Sequence, residues 1–150
     1  MHITVKEFEK LSTNELFEIY KLRAKVFVVE QNCAYQDIDE KDLKAFHVLM
    51  LDNHLLLGYC RIIPPGFAYP EVAIGRVVVD SKSRGNGSGK KLMDYAISKS
   101  LELFPNQQLL ISAQLYLLKF YTDLGFESEG ENYLEDDIPH VQMRYTLNNQ

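Results

Sequence analysis

The stretch Ile74 to Leu92 reads I-G-R-V-V-V-D-S-K-S-R-G-N-G-S-G-K-K-L. Its first part, Ile74 to Val79, is β-branched and strand-like; a polar connector follows, and a glycine-rich turn at Gly85, Gly87 and Gly89 then opens into an amphipathic helix. Such a turn leaves backbone N–H groups unpaired at the positive end of a helix dipole, which makes it a phosphate site. Register excludes two common nucleotide-binding loops. A Walker A loop requires G-x-x-x-x-G-K-[ST], but Gly85 stands four residues before Gly89, and Lys90 is followed by Lys91 instead of a magnesium-binding hydroxyl. A dinucleotide fingerprint requires G-x-G-x-x-G directly after its strand, whereas this chain carries G-x-G-x-G several residues beyond it. Lys82, Arg84, Lys90 and Lys91 crowd the turn without an acid among them, which favours an anionic ligand. A flexible turn that binds nothing is the plain alternative.

Length and composition bound the rest. With 150 residues, 46% of them hydrophobic and 25% charged, the chain suits one globular domain over 1–150, able to bury about two-thirds of its unfolded surface. Cys33 and Cys60 lie far apart, outside any C-x-x-C pattern, and no charged-then-apolar signal segment precedes the first helix. A reduced, cytoplasmic protein is expected. The longest apolar runs, Val48 to Leu51 and Leu55 to Leu57, fall well short of the roughly 20 residues of a membrane span. A net charge of −5 argues against a general nucleic-acid binder. No histidine or cysteine cluster has metal-ligand spacing, and no G-x-S-x-G elbow exists, so neither a metal site nor a simple serine hydrolase is expected.

Along the chain, Ile3, Val5 and Phe8 suggest a first strand. Ser12 to Glu15 is S-x-x-E, a capping box, and Leu16, Ile19, Tyr20, Arg23 and Phe27 recur at helical spacing after it. The β-branched run Val26 to Val29 weakens that helix near Glu30. Tyr35 to Lys44 is an acid-rich loop with Asp37, Asp39, Glu40 and Asp42: either a solvated surface or the border of a pocket for a cationic substrate. Ala45 to Leu51 and Leu55 to Ile63 form a hairpin turning at Asp52-Asn53, ended by Pro64-Pro65-Gly66, and the strand Val72 to Val79 follows. Leu92, Met93, Ala96, Ile97, Leu101 and Phe104 trace the apolar stripe of the helix that Pro105 stops. Leu109 to Ile111 is a short strand, parallel to Val72–Val79 by the right-handed crossover rule. A helix is expected over about Gln114 to Leu124 with Gly125 as its cap, then strands at Phe126 to Glu129 and His140 to Leu147 around an acidic loop holding Glu131, Glu135, Asp136 and Asp137. The fold class is α/β (α+β), a mixed sheet of six to seven strands with helices on both faces.

These pieces resemble the GNAT acetyltransferases, which bind acetyl-coenzyme A and move its acetyl group, usually to an amine. Arg84-Gly85-Asn86-Gly87-Ser88-Gly89 satisfies the family's [Q/R]-x-x-G-x-[G/A], and Tyr121-x-x-x-Gly125-Phe126 looks like its tyrosine ahead of a G-F turn. The front part, Leu22-Arg23-x-x-Val26-Phe27-Val28-Val29-Glu30-Gln31 with Cys33, Tyr35, Asp39 and His47 after it, looks like the ElaA-like branch.

The resemblance implies a splayed pair of parallel strands as the cofactor slot. Val77, Val78 and Val79 would offer backbone to the pantetheine arm, and the amides of Arg84, Gly85, Asn86, Gly87, Ser88, Gly89 and Lys90 would hold the pyrophosphate. A backbone N–H near Val77 or Val78 would stabilise the oxyanion, an interaction worth about 3 to 4 kcal/mol in acyl transfer. Tyr121 would protonate the departing thiolate. Gln114 stands where many members carry asparagine, with similar amide chemistry and a different reach. The strand interior, Val72 to Val77, holds no carboxylate, so the general base falls to Glu71, Glu30, His47 or His140, with His140 and Glu71 ranked ahead. Glu30, His47 and Arg76 are read as acceptor contacts, and Arg23, Arg61 and Arg76 as structural or substrate-orienting. The expected activity is direct acetyl transfer in a ternary complex to a primary amine of a small molecule or peptide. A non-catalytic acyl-coenzyme A sensor or partner-binding module is the alternative. C-terminal strands often pair in this family, so a homodimer stays open.

Overall fold

The computed structural model describes residues 1–146. Its strands are β1 (His2–Glu7), β2 (Phe46–Asp52), β3 (Leu55–Ile63), β4 (Val72–Val79), β5 (Leu109–Gln114), β6 (Glu127–Glu135) and β7 (Ile138–Tyr145). They form one sheet in the order β1-β2-β3-β4-β5-β7-β6, mixed because β4 and β5 run parallel and the other neighbours antiparallel. The expected hairpin is present, one residue displaced: Asn53 and His54 turn it with φ of 48° and 71°.

Ser12 caps α1 (Thr13–Arg23), and the expected capping box with Glu15 is complete. The β-branched run Val26 to Val29 does not end this helix. It widens into a π-helical segment, Ala24–Glu30, as the crowding of branched side chains would favour. After the glycine turn comes α2 (Ser88–Leu103), whose stripe Leu92, Met93, Ala96 and Ile97 is buried. The short α3 (Leu118–Asp123) follows β5.

Alternation assigns the faces. Val48, Met50, Cys60, Ile62 and Ile74 pack in one core with α2 and α3, while Leu49, Tyr59 and Val78 pack under α1. Ile74 and Val78 are separated by an even number of positions, yet they serve opposite faces. A bulge between them is responsible: the β3–β4 register slips between Tyr59 and Arg61, and Arg76 sits there with φ 52°. The expected strand over Val72–Val79 is observed; its bulge was not anticipated.

Three expectations are corrected. Gln114 is the last residue of β5 and not the start of a helix; a 3-10 turn, Leu115–Leu117, intervenes before α3. Glu131 and Glu135 belong to β6, not to an acidic loop, and only Asp136 and Asp137 turn, with φ of 50° and 62°. The closing strand starts at Ile138 and ends at Tyr145; Leu147 lies outside the described residues.

The acid-rich loop is not a solvated run: it borders a cleft through Tyr35 and Asp39, and three of its four acids are held by arginines. Arg23, fully buried, gives Nε to Asp37 Oδ2 at 2.9 Å and Nη1 to Asp42 Oδ1 at 2.8 Å. Arg61 gives Nη1 to Asp39 Oδ1 at 2.6 Å and to Asp42 Oδ1 at 2.8 Å. Arg76 donates Nη2 to the Asp37 carbonyl at 2.9 Å, its Nε lying 2.8 Å from Asp37 Oδ1 but out of line for a bond. These are the carboxylate and carbonyl partners that buried arginines require, so the loop is riveted to α1, β3 and β4.

Candidate active site

The β4–β5 ladder holds only Val72↔Leu109 and Ala73↔Leu110. Beyond Ala73 the bulge at Arg76 turns β4 away, and a cleft of about 1220 Å³ opens between the strands. That volume exceeds an ordinary small-molecule pocket of about 300 to 1,000 Å³ and suits two ligands together. Val77, Val78 and Val79 line it, and β4 has no strand partner on that side among the described residues.

One end of the cleft is the glycine turn. Gly85 and Gly87 adopt φ of 82° and 84°, and a Cβ at either would stand in open space, so a ligand can approach the backbone there. Gly87 is the left-handed N-cap of α2. Asn86 Oδ1 accepts from Ser88 N at 3.1 Å, leaving the following amides of the first turn without a side-chain cap. Arg84 is held by the Val79 carbonyl, at 2.9 Å from its Nε, and by Glu30, which also lines the cleft.

Midway along, α3 presents Tyr121. Its ring is clasped edge-on by Phe120 and Phe126, with centroids 5.1 Å and 6.0 Å away, and the Phe126 N–H donates to the Tyr121 carbonyl at 3.1 Å. Tyr121 is buried but lines the cleft. Burial first, and then Cys60 and Tyr116, push its phenol well above the usual value, which keeps it protonated as a proton donor must be.

The family description "Acetyltransferase (GNAT) domain" matches this chain from residue 10 to residue 147. The chain belongs to the GNAT acetyltransferase family. It is thereby an acyltransferase, and the family and fold imply acyl-coenzyme A-dependent transfer. A UPF0039 protein of Schizosaccharomyces pombe is 44% identical over 149 residues, covering 98% of each chain. Protein ElaA of Escherichia coli is 40% identical over 136 residues, 89% of each chain, and its crystal structure superposes with a TM-score of 0.89 over 97% of this chain and 99% of that one. An acyl-CoA N-acyltransferase structure from Pseudomonas aeruginosa reaches a TM-score of 0.92 at 39% identity, over 97% of this chain and 99% of its own.

In this GNAT domain the residues singled out from sequence divide cleanly. Glu30, Arg76, Gln114, Tyr121 and His140 all line the cleft with the β4 valines and the glycine turn. Gln114 pairs with Gln31 across the wall, at 3.3 Å from Gln31 Nε2 to Gln114 Oε1. Glu71, His47, Asn86 and Ser88 do not line the cleft; Ser88 is buried in the glycine turn, bonded to Asn86. Glu71 accepts from Arg144 Nη1 at 2.6 Å, and that bond lowers its pKa, the reverse of what a base for an ammonium needs. His47 is fully buried: Nε2 donates to the Asp42 carbonyl at 2.8 Å, and Nδ1 accepts from the Tyr59 hydroxyl at 2.6 Å. Burial lowers its pKa, and neither nitrogen is free for a substrate.

Cys60 is buried and Cys33 lines the cleft. Desolvation raises both thiols, with Asp136 and Asp137 adding to it at Cys33, so neither is an activated nucleophile. No three histidine, cysteine, aspartate or glutamate side chains converge as a metal site among the described residues. No described helix is long and apolar enough to cross a membrane. The residues sequence reasoning missed are Ser112 and Glu135, both at the cleft wall. Glu135 was hidden because β6 is almost wholly exposed and lacks the alternation that marks a strand.

Proposed function

We propose that the cleft binds acetyl-coenzyme A and that the protein moves its acetyl group to a primary amine of a small molecule or peptide, by direct attack in a ternary complex. One observation carries this reading: the partnerless edge of β4, the open glycine turn and Tyr121 share a single slot. The residues present fit the cosubstrate. A Cβ-free, positively charged helix entrance suits a pyrophosphate, and an unpaired strand edge suits an amide-bearing arm. When bound, acetyl-coenzyme A supplies an activated thioester.

The chain's own residues do the rest. The Arg84–Lys90 backbone holds the diphosphate while Val77–Val79 align the arm by strand-like pairing. An N–H at Val77 or Val78 faces the developing oxyanion. Tyr121 donates its proton to the departing sulfur, and His140 is the proton acceptor on the opposite wall. Gln114, already paired with Gln31, shapes that wall. Residues 1–150 are taken as one acetyltransferase domain, supported by the single sheet that runs through every described strand. The free thiols of Cys33 and Cys60 fit a reducing cytoplasm. A homodimer would use the outer edge of β6, which has no strand partner among the described residues.

Calorimetric titration with acetyl-coenzyme A, followed by thiol-release assays over a panel of primary amines, tests the reading. Binding in the micromolar to millimolar range with turnover on at least one amine is expected. No binding would sink it, and binding without turnover on any amine would favour a non-catalytic acyl-coenzyme A-binding module.

A further inference from the structure

A base that deprotonates an ammonium needs a nitrogen that can offer a lone pair, and at His140 that nitrogen is Nε2. Its Nδ1 lies 2.6 Å from the Ile138 carbonyl oxygen. A carbonyl only accepts, so Nδ1 carries a proton, and in its neutral form the ring has its lone pair at Nε2. The residue is only 5% exposed, yet it lines the cleft, and Nε2 has no hydrogen bond among the described residues. It faces Glu135 Oε2 at 3.5 Å. Tyr133 stacks on the ring, with centroids 6.1 Å apart and planes at 20°. The Tyr133 hydroxyl is bonded to Ser112 Oγ, which reaches Glu135 Oε1 at 3.4 Å. Strand register brings these groups together: Tyr133 pairs with His140 and Glu135 with Ile138 across the β6–β7 hairpin, while β5 sets Gln114 opposite His140.

Charge points the same way. Among carboxylates at the cleft, Glu30 is engaged by Arg84 and Asp39 by Arg61, while Asp136, in the β6–β7 turn, lacks the contact with His140 that Glu135 makes. Glu135 has no lysine or arginine partner among the described residues, so its charge is available to a ligand.

We propose that Glu135 and His140 form the acceptor-amine subsite: Glu135 receives the ammonium group and His140 Nε2 takes a proton from it. The proposal rests on the acetyl-transfer reading and extends it to the acceptor. The ammonium arrives with three N–H protons. One passes to His140 Nε2 and on to solvent, leaving a lone pair that forms the C–N bond as the C–S bond breaks. A second replaces the proton that Tyr121 gives to the sulfur, and the third stays on the amide. The products are an amide, a thiol and one released proton.

The test uses the full chain saturated with coenzyme A and titrated with 1,4-diaminobutane, reading the His140 imidazole nitrogen resonances by NMR, assigned with His140→Gln. The Nδ1-protonated tautomer is expected before the amine is added, and a saturable shift at Nε2 after it. Glu135→Gln should weaken that binding by about tenfold or more, the loss of one charge-assisted bond, with coenzyme A affinity unchanged by calorimetry. In turnover, Glu135→Gln should raise the amine KM, and His140→Gln should lower kcat by about 100-fold or more. An Nε2-protonated tautomer, no shift at saturation, or equal amine affinity in Glu135→Gln overturns the subsite. Failure of the wild-type chain to bind coenzyme A overturns the acetyl-transfer reading instead.

Discussion

Arg76 holds a left-handed backbone, φ 52°, while its guanidinium reaches across to Asp37, bonding the carbonyl at 2.9 Å. The strained residue and the loop that restrains it come from segments far apart in the chain. Their union makes the bulge that peels β4 from β5. A non-glycine residue in this region costs about 1 to 2 kcal/mol, so the ion-pair cluster works against a backbone that would relax without it.

Two substitutions separate strain from pairing. Arg76→Gly and Arg76→Ala both lose the guanidinium, but only glycine accepts φ 52° without a steric cost. The glycine variant is expected to be more stable than the alanine variant by about 1 kcal/mol, or about 2 to 4 °C in thermal midpoint. Equal midpoints by calorimetry would show that the bulge relaxes when Arg76 is lost.

Tyr121→Phe keeps the ring that packs between Phe120 and Phe126 and removes only the hydroxyl. Expected is a fall in kcat of about 10²- to 10⁴-fold, with acetyl-coenzyme A affinity unchanged. Steady-state kinetics and calorimetry on the same preparation check both halves.

Gly87→Ala places a Cβ on a residue with φ 84° at the N-cap of α2. The surroundings offer room, so the penalty is conformational and of about 1 to 2 kcal/mol. Coenzyme A binding should weaken, since the cap either stays strained or turns its amides away. Titration against the Gly85→Ala variant tells whether both turn positions share the load.

Acid should loosen the Arg–Asp cluster. Burial alone would raise Asp39 and Asp42, but the Arg61 bond holds Asp39 at about 2, against an ordinary 3.8, and the Arg23 bond keeps Asp42 below its ordinary value. A carboxylate depressed in the folded state binds fewer protons there than when unfolded. Its contribution is therefore complete above about pH 4 and disappears as pH falls toward 2. Thermal midpoints measured from pH 6 down to pH 2 should fall most steeply in that window, and Asp39→Asn should flatten the slope.

Much of this was legible in residue order, and the failures have physical causes. Ser12 and Glu15 announce their cap, the Leu92–Ile97 stripe its helix, and the glycine turn the start of that helix, because each is a local pattern. Asp37 and Asp42 could not be recognised as buried, since their partners Arg23, Arg61 and Arg76 arrive only with the fold. Gln114 misled because a strand that ends in a 3-10 turn resembles the start of a helix. Glu135 misled because an edge strand facing water carries no apolar alternation.

The ladder between β4 and β5, two residue pairs long, has a mechanical meaning. It divides the sheet into two plates, β1 to β4 on one side and β5, β7 and β6 on the other, welded along one short seam, with α2 as the crossover of the chain between them. A ligand that pairs with the bare edge of β4 while packing on α3 lies across that seam like a rivet. With such a ligand bound, cohesion between the plates would be partly borrowed from the cargo, and slow exchange of the amides of Ile74 to Val79 is expected in the loaded protein.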